Sequence, residues 1–411
     1  MAKEKVVNIM KDFFKKTKDT QFYDLDSLEK TFGPKHFIST GLPSFDLHLD
    51  GKYNSVTDRY EFGWPTGRIH EIVGASQTFK SYLMHLFAAQ TIKMGGYVWF
   101  LTDEMDVNLN FYKTFYESEG LDFEQAKESI GAGVVKTVLD LKDELQKILK
   151  YLAANERLIK DQNVPIMIFM DSLGALQSHS DYERTEKGET IKPGSHAREL
   201  HDLFKSTMYD IARYDVAFFY TNHYRANLGF GHKKQQPAHD FVVQYYPSYR
   251  LGVSAWTPQS GRGTSHKRNY EVYQTFAASW IKKRGPTVGE NKFELTFYSN
   301  HGFSLEDSLV DAILTSGLAN AKAKEMIFRD PFSNPSCRFE TYYNEFYKSN
   351  LLSHSGKVTP DEFKKIFKKD EALPYFDHLA QLCFKIGPIV LKDRRIMSGG
   401  SDTGEDDDSS T

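Results

Sequence analysis

Arg68-Ile-His-Glu-Ile-Val-Gly74-Ala-Ser-Gln-Thr-Phe-Lys80-Ser81-Tyr-Leu-Met-His-Leu-Phe87 decides how this chain reads. Residues 69–73 are a short apolar run rich in β-branched side chains, the mark of a buried strand. Residues 81–92 then place Leu83, Leu86 and Phe87 on one face of a helix. Between them, residues 74–81 fit G-x-x-x-x-G-K-[ST] at every position except the second glycine, which is Phe79. The N–H groups of such a loop surround an anion, and the helix dipole favours it. Gly74, Ala75, Ser76, Gln77, Thr78 and Phe79 are therefore expected to line the phosphates of a nucleotide such as ATP. Lys80 would neutralise the β- and γ-phosphates, and Ser81 would bind Mg²⁺. A residue entering a helix takes an ordinary negative φ, so Phe79 is expected to cost little there.

The same alternation continues outward. Residues 97–101, 166–170, 216–220, 249–253, 274–281 and 292–298 read as strands, with helical patterns at 139–152 and 200–211. Strand–helix–strand order implies crossovers and a mostly parallel sheet covered by helices. The fold class is α/β. The strand 166–170 ends in Asp171, placed to hold the Mg²⁺ shell. The strand 97–101 ends in Thr102-Asp-Glu104, and ligands of open α/β sheets bind outside the carboxyl ends of strands. Glu104 or Asp103 is thus the candidate base for an attacking water.

Composition bounds the rest. The 411 residues suggest two or three domains, and 40% apolar with 26% charged side chains fits a globular protein. No apolar run is long enough for a bilayer, and the lysine-rich start has no signal-peptide core, so the cytoplasm is the expected location. Two cysteines exclude a disulfide scaffold and a four-cysteine zinc site. Net charge is −3, but residues 399–411 hold five acidic side chains and no base. The remainder has 52 basic against 50 acidic residues, so only local clusters can decide on nucleic acid.

Residues 1–35 read as an amphipathic helical segment that docks on a neighbouring subunit or folds back on its own core. Residues 49–66 read as an irregular connection. Residues 303–398 read as a small, mainly helical domain, opened by Ser304-Leu-Glu-Asp307 and holding a second capping box at Thr359-Pro-Asp-Glu362. The tail 399–411 is too acidic to fold and is expected to be disordered, competing with phosphates for basic loops or serving solubility. Two long polar segments, 177–195 and 223–240, each follow a buried strand, and loops of that length tend to be functional.

Ile38-Ser-Thr-Gly41 and Gly63-Trp-Pro-Thr-Gly-Arg-Ile-His-Glu-Ile-Val-Gly74 resemble the opening of the ATPase core of bacterial RecA recombinases. Thr78-Phe-Lys-Ser81, Asp171-Ser-Leu-Gly174 and Asn222-His223 look closer to the bacteriophage UvsX recombinases. The resemblance covers roughly residues 36–320. It implies a RecA-like P-loop ATPase core over 36–302, with Glu104 as catalytic glutamate and Phe111 stacked on adenine. It implies that His223 senses the γ-phosphate, and that Lys282 and Arg284 reach ATP across a subunit interface. Read alone, Lys282 and Arg284 are adjacent cations at a strand end with no obvious carboxylate partner. The two polar segments fall where the family has DNA-binding loops. Arg225, His232, Lys233 and Lys234 in the second suit phosphate contacts, whereas the first mixes both charges.

The implied function is an ATP-dependent strand-exchange recombinase that forms helical filaments on single-stranded DNA and pairs it with homologous duplex DNA. A single-strand-binding protein and a loading mediator are expected partners, and no membrane. A hexameric replicative helicase shares this kind of core but usually has a larger N-terminal domain. An ATP-gated DNA-binding assembly protein without turnover is disfavoured by Lys80, Ser81, Asp171 and Glu104 occurring together.

Overall fold

The computed structural model describes residues 24–103, 108–190, 194–226, 235–255, 273–284, 292–298 and 302–317. It also describes short stretches at 262–263, 270–271, 319–322, 325–328, 357–358, 379–381 and 383. Ahead of the core stand α1 (Leu25–Phe32), β1 (Phe37–Ile38), α2 (Pro43–Asp46), β2 (Asp50–Asn54) and β3 (Arg59–Pro65). The core begins with β4 (Arg68–Gly74), α3 (Lys80–Lys93), β5 (Tyr97–Thr102), α4 (Leu109–Ser118), α5 (Phe123–Glu128) and β6 (Ile130–Val134). It continues with α6 (Val138–Ala154), α7 (Glu156–Gln162), β7 (Ile166–Asp171), α8 (His179–Glu186), α9 (Ser195–Arg213) and β8 (Val216–Asn222). Next come β9 (Tyr224–Ala226), β10 (Gln235–Pro237), α10 (Asp240–Val243), β11 (Tyr249–Ala255), β12 (Arg262–Gly263) and β13 (Tyr270–Glu271). After these run β14 (Tyr273–Lys283), β15 (Lys292–Tyr298), β16 (Gly302–Phe303) and α11 (Leu305–Ser316). The short strands β17 (Ala319–Lys322), β18 (Glu325–Phe328) and β19 (Lys357–Val358) come last among the named elements.

Among the described residues the central sheet has the order β16-β15-β14-β11-β4-β8-β7-β5-β6. From β11 to β6 every pairing is parallel, and from β11 to β16 every pairing is antiparallel. Gly74, Thr102, Asp171 and Asn222 therefore finish their strands at one edge. One face of the sheet is covered by α3, where Leu83, Met84 and Phe87 pack with Phe45 and Trp64. The other is covered by α6 and α9 through Leu141, Leu145, Leu200, Leu203 and Phe204. Helix α6 starts at Thr137, whose side chain accepts from the Asp140 N–H, while Asp140 accepts from the Thr137 N–H.

Four departures from the sequence reading have local causes. Residues 49–66 are not irregular: β2 and β3 pair in register from Asp50↔Gly63 to Asn54↔Arg59. Most of β2 is exposed, so this hairpin lacks the apolar alternation that reveals a half-buried strand. The segment 177–195 holds α8, started by Ser178, with Glu199 accepting from the His179 and Ser180 N–H groups. The segment 223–240 holds the hairpin β9–β10. Beyond β16 the described residues include α11, capped by Ser304, and three short strands in a region expected to be mainly helical. The Thr359 capping box, the acidic tail and residues 1–23 lie outside the described residues. Within the segment 1–35, helix α1 lies on its own chain, with Phe32 edge-on to Tyr209 of α9 at 5.4 Å.

Asp46 supplies a pH signature. It is buried, and accepts from Ser39 Oγ at 2.5 Å and from the Thr40 N–H at 2.7 Å. Burial pushes its carboxyl up to about 7, against those hydrogen bonds. The folded value lies above the unfolded one, so the native state holds the extra proton between them. The stabilising contribution is full below the unfolded value and is lost as pH rises through about 7. Wild-type Tm is expected to fall between about pH 4 and 7, and Asp46→Asn to flatten that part of the profile. A wild-type-like slope in Asp46→Asn assigns the dependence elsewhere.

Candidate active site

The edge that collects Gly74, Thr102, Asp171 and Asn222 also carries the 74–81 loop. A Cβ at Gly74 would come within 2.4 Å of Thr78 Oγ1 and 2.7 Å of the Val253 carbonyl oxygen, so only glycine fits. Thr78 Oγ1 donates to the Ala75 carbonyl at 2.8 Å and holds the turn. Ala75, Ser76 and Gln77 stand exposed at its crest. Lys80 folds back over the loop, and its Nζ donates to the carbonyls of Gly74 at 3.1 Å and Ala75 at 2.7 Å. An anion seated in the loop would meet that ammonium and the N-terminus of α3 together.

Phe79 does not take the negative φ expected of it. Its φ is +57°, in the left-handed region where the motif ordinarily has glycine. Packing offsets the strain: the ring lies 4.6 Å from Phe276 and 4.3 Å from Phe297, with Tyr82 at 6.3 Å. Phe79→Ala keeps the strain and loses the ring, whereas Phe79→Gly loses the ring but relieves the strain. Both variants should be less stable than wild type, with Phe79→Gly the more stable of the two by about 1 kcal/mol in urea unfolding. Equal stability of the two would show that the left-handed backbone costs nothing.

Ser81 Oγ donates to Asp171 Oδ2 at 2.5 Å, and Thr221 Oγ1 donates to Asp171 Oδ1 at 2.5 Å. A hydroxyl and a carboxylate oxygen side by side, next to the 74–81 loop, fit the part-protein, part-phosphate shell that Mg²⁺ takes. A cis peptide joins Asp171 to Ser172. The Ser172 N–H donates to Asp103 Oδ1 at 3.0 Å, and burial holds the Asp103 carboxyl above its ordinary value. Asp103 therefore fixes the turn after β7. Glu104, the other candidate base, lies outside the described residues.

His223 follows β8 directly and faces Lys80, Asp171 and Asp103. Burial, then the Lys80 ammonium, holds its imidazole below the ordinary value, so it is neutral at pH 7. Phe111 sits in the first turn of α4, whose N-cap Asn108 accepts from the Phe111 N–H at 3.1 Å. Phe111 is 43% exposed, and its ring lies 5.9 Å from His85 of α3 and 6.1 Å from Phe115. Arg225, on β9, donates from Nη2 to the Gly174 carbonyl at 2.9 Å. With His196 and His239 it lines a cavity of about 320 Å³ between the two polar segments. His232, Lys233 and Lys234 lie outside the described residues.

Lys282 and Arg284 are not brought to the loop of their own chain. Lys282 pairs in register with Arg250, which pairs with Glu71, three residues before Gly74. Arg284 lies further on, in a cavity of about 440 Å³ lined also by Asp50, Arg68 and Tyr249. Nor does Lys282 lack partners: its Nζ donates to the carbonyls of Gln244 at 2.7 Å and Tyr245 at 3.2 Å.

With that geometry in view, the curated relatives fall into place. This chain is similar to bacterial RecA proteins. It is 25% identical to Protein RecA of Porphyromonas gingivalis over 244 residues, 57% of this chain and 64% of the relative. It is 26% identical to Protein RecA of Francisella philomiragia over 301 residues, 70% of this chain and 73% of the relative. Protein RecA of an Azoarcus species is 22% identical over 253 residues, 61% and 64% of the two chains. The chain thus spans just under two thirds of the length of several of these relatives. No protein-family profile matches it. Among the described residues no helix is long and apolar enough to cross a membrane.

A buried charge network escaped the sequence reading. Glu71 and Arg250 are ion-paired inside the sheet, Arg250 also pairs with Asp240 at 2.6 Å, and Asn222 donates to Glu71 at 2.8 Å. Opposite charges in two apolar strand runs, 69–73 and 249–253, were the available signal, because buried charges need partners.

Proposed function

We propose that this protein is an ATP-dependent recombinase of the RecA type, closest in its loop motifs to the bacteriophage UvsX proteins. It would polymerise on single-stranded DNA with ATP and Mg²⁺ at each subunit interface, hold the strand extended for pairing with homologous duplex DNA, and turn over by hydrolysis. One observation carries the reading. Lys80, Ser81, Asp171 and His223 converge at one sheet edge, in a chain similar to a RecA protein over 244 residues.

In this reading the loop N–H groups and Lys80 bind the phosphates. Ser81 and Asp171 hold Mg²⁺, which supplies charge neutralisation when bound. Glu104 takes the proton of the attacking water. His223, neutral and next to Lys80, donates to the terminal phosphate and reports its presence to the β9–β10 hairpin. That hairpin carries Arg225 on β9, and the basic residues 232–234 fall between its two strands in sequence; these residues would meet DNA phosphates.

Two measurements test this. Electron microscopy with ATP and single-stranded DNA should show helical filaments; closed rings would favour a helicase. Glu104→Gln should bind ATP and stay on DNA while hydrolysis falls on the order of 10²-fold or more, the usual contribution of a positioned base. Wild-type hydrolysis by Glu104→Gln would remove it from the base position.

A further inference from the structure

Arg250 and Asp240 have no part in the phosphate chemistry above, yet they join its two ends. The His223 N–H donates to Asn222 Oδ1 at 2.9 Å, and Asn222 Nδ2 donates to Glu71 Oε1 at 2.8 Å. Glu71 Oε2 accepts from Arg250 Nε, and Arg250 Nη2 donates to Asp240 Oδ1 at 2.6 Å. Asp240 is the first residue of α10, and the carbonyls of Gln244 and Tyr245, just past the end of that helix, hold Lys282 Nζ. The path is unbroken from the residue facing the chain's own phosphate loop to the lysine proposed to serve the neighbour's.

Stability does not account for these charges. Glu71 and Arg250 are almost wholly buried, and a well-packed apolar pair in their place is often as stable or more so. Burial pulls the Arg250 guanidinium down, but Glu71 and Asp240 more than offset this and keep it charged. Arg250 is shared between a carboxylate fixed in β4 and one carried by α10, so displacement of Asn222 alters the balance between them. Asn222 is already committed on a second side, since its Nδ2 also donates to the Ala238 carbonyl at 2.9 Å. Any shift of His223 toward a phosphate therefore pulls on both the chain just past β10 and the ion pair.

We propose that Arg250 and Asp240 are positioning residues that set where the Lys282 ammonium points according to what His223 meets at the chain's own nucleotide loop. The proposal rests on the reading above at one point, that nucleotide binds the 74–81 loop. With a filament in which Lys282 meets the neighbour's nucleotide, each shared site would also respond to the occupancy of the next.

Lys282 can be watched directly. Burial, with Arg284 and Arg250 nearby, holds its amine down at about 8, so it acylates readily at mildly alkaline pH. Lys283 next to it, held at about 7 and lying over the Trp280 ring, is off the path and serves as the internal control. The full chain is labelled with an amine-acylating reagent without DNA, with and without a non-hydrolysable ATP analogue and Mg²⁺. Peptide mass spectrometry reads each lysine. In wild type the analogue should protect Lys80, change Lys282 labelling by about threefold or more, and leave Lys283 unchanged. In Asp240→Asn, which spares the Glu71–Arg250 pair, Lys80 should still be protected and the Lys282 response lost. Asn222→Ser breaks the path at its other end and should give the same loss if Asp240→Asn folds poorly. A wild-type Lys282 response in either folded variant overturns the proposal. So does a Lys282 that ignores the analogue while Lys80 is protected, which leaves nucleotide binding standing. An unprotected Lys80 instead overturns the nucleotide-loop reading, and the relay with it.

Discussion

Lys80→Ala is expected to remove turnover while leaving the fold intact. In the resting loop the Lys80 ammonium holds two carbonyls, those of Gly74 and Ala75. Their loss costs about 1 kcal/mol in a loop whose crest is open to water, which is small against the stability of a core this size. The functional loss is expected to be much larger, because in the proposed function Lys80 supplies the charge that meets the transferring phosphate. Removing one such preorganised donor commonly lowers kcat on the order of 10²–10³-fold. ATPase rate on single-stranded DNA, binding of a fluorescent ATP analogue and Tm together check this. Hydrolysis within about tenfold of wild type would place the phosphates elsewhere, since no oxyanion donor is that dispensable.

The strand, turn and helix of the candidate loop were legible because their pattern is local: strand, glycine, lysine and helix follow one another within twenty residues. The place of Asp171 beside Ser81 was legible for the same reason, since it ends an apolar run. Phe79 was misread because its φ is settled by rings from far along the chain, Phe276 and Phe297, which make a left-handed backbone tolerable. The β2–β3 hairpin was missed because an exposed ribbon lacks the apolar period that sequence reading relies on. The network of Asn222, Glu71, Arg250 and Asp240 joins four elements distant in sequence, and only the register of β4 against β11 makes partners of them. Lys282 shows the remaining limit. Its strand was readable, but its distance from the loop and its hold on the Gln244 and Tyr245 carbonyls depend on the antiparallel half of the sheet.

That distance leads to the second large expected effect, shared catalysis between subunits. Lys282 lies level with Glu71, about 10 Å down the sheet from Gly74 at ~3.3 Å per residue, and Arg284 lies beyond it. Neither side chain is placed to serve the loop of its own chain. At a head-to-tail interface a neighbour's γ-phosphate can meet both, and charge of this kind is worth ~10³–10⁵ in rate where it has been measured in nucleotide hydrolases. Lys282→Ala/Arg284→Ala is therefore expected to lose on the order of 10³-fold in DNA-stimulated hydrolysis while binding ATP like wild type. Lys80→Ala has the complementary defect, a damaged loop with an intact basic pair. Filaments mixed at equal ratio would join an intact loop to an intact pair at about one quarter of their interfaces, because each head-to-tail contact takes one element from each side. ATPase rate against mixing ratio should rise from near zero at both ends to a maximum of about a quarter of wild type in the middle, with filament formation followed in parallel. Mixed filaments that form yet hydrolyse nothing at any ratio would confine catalysis to single subunits. Lys282 and Arg284 would then be left with the contacts they make in their own chain.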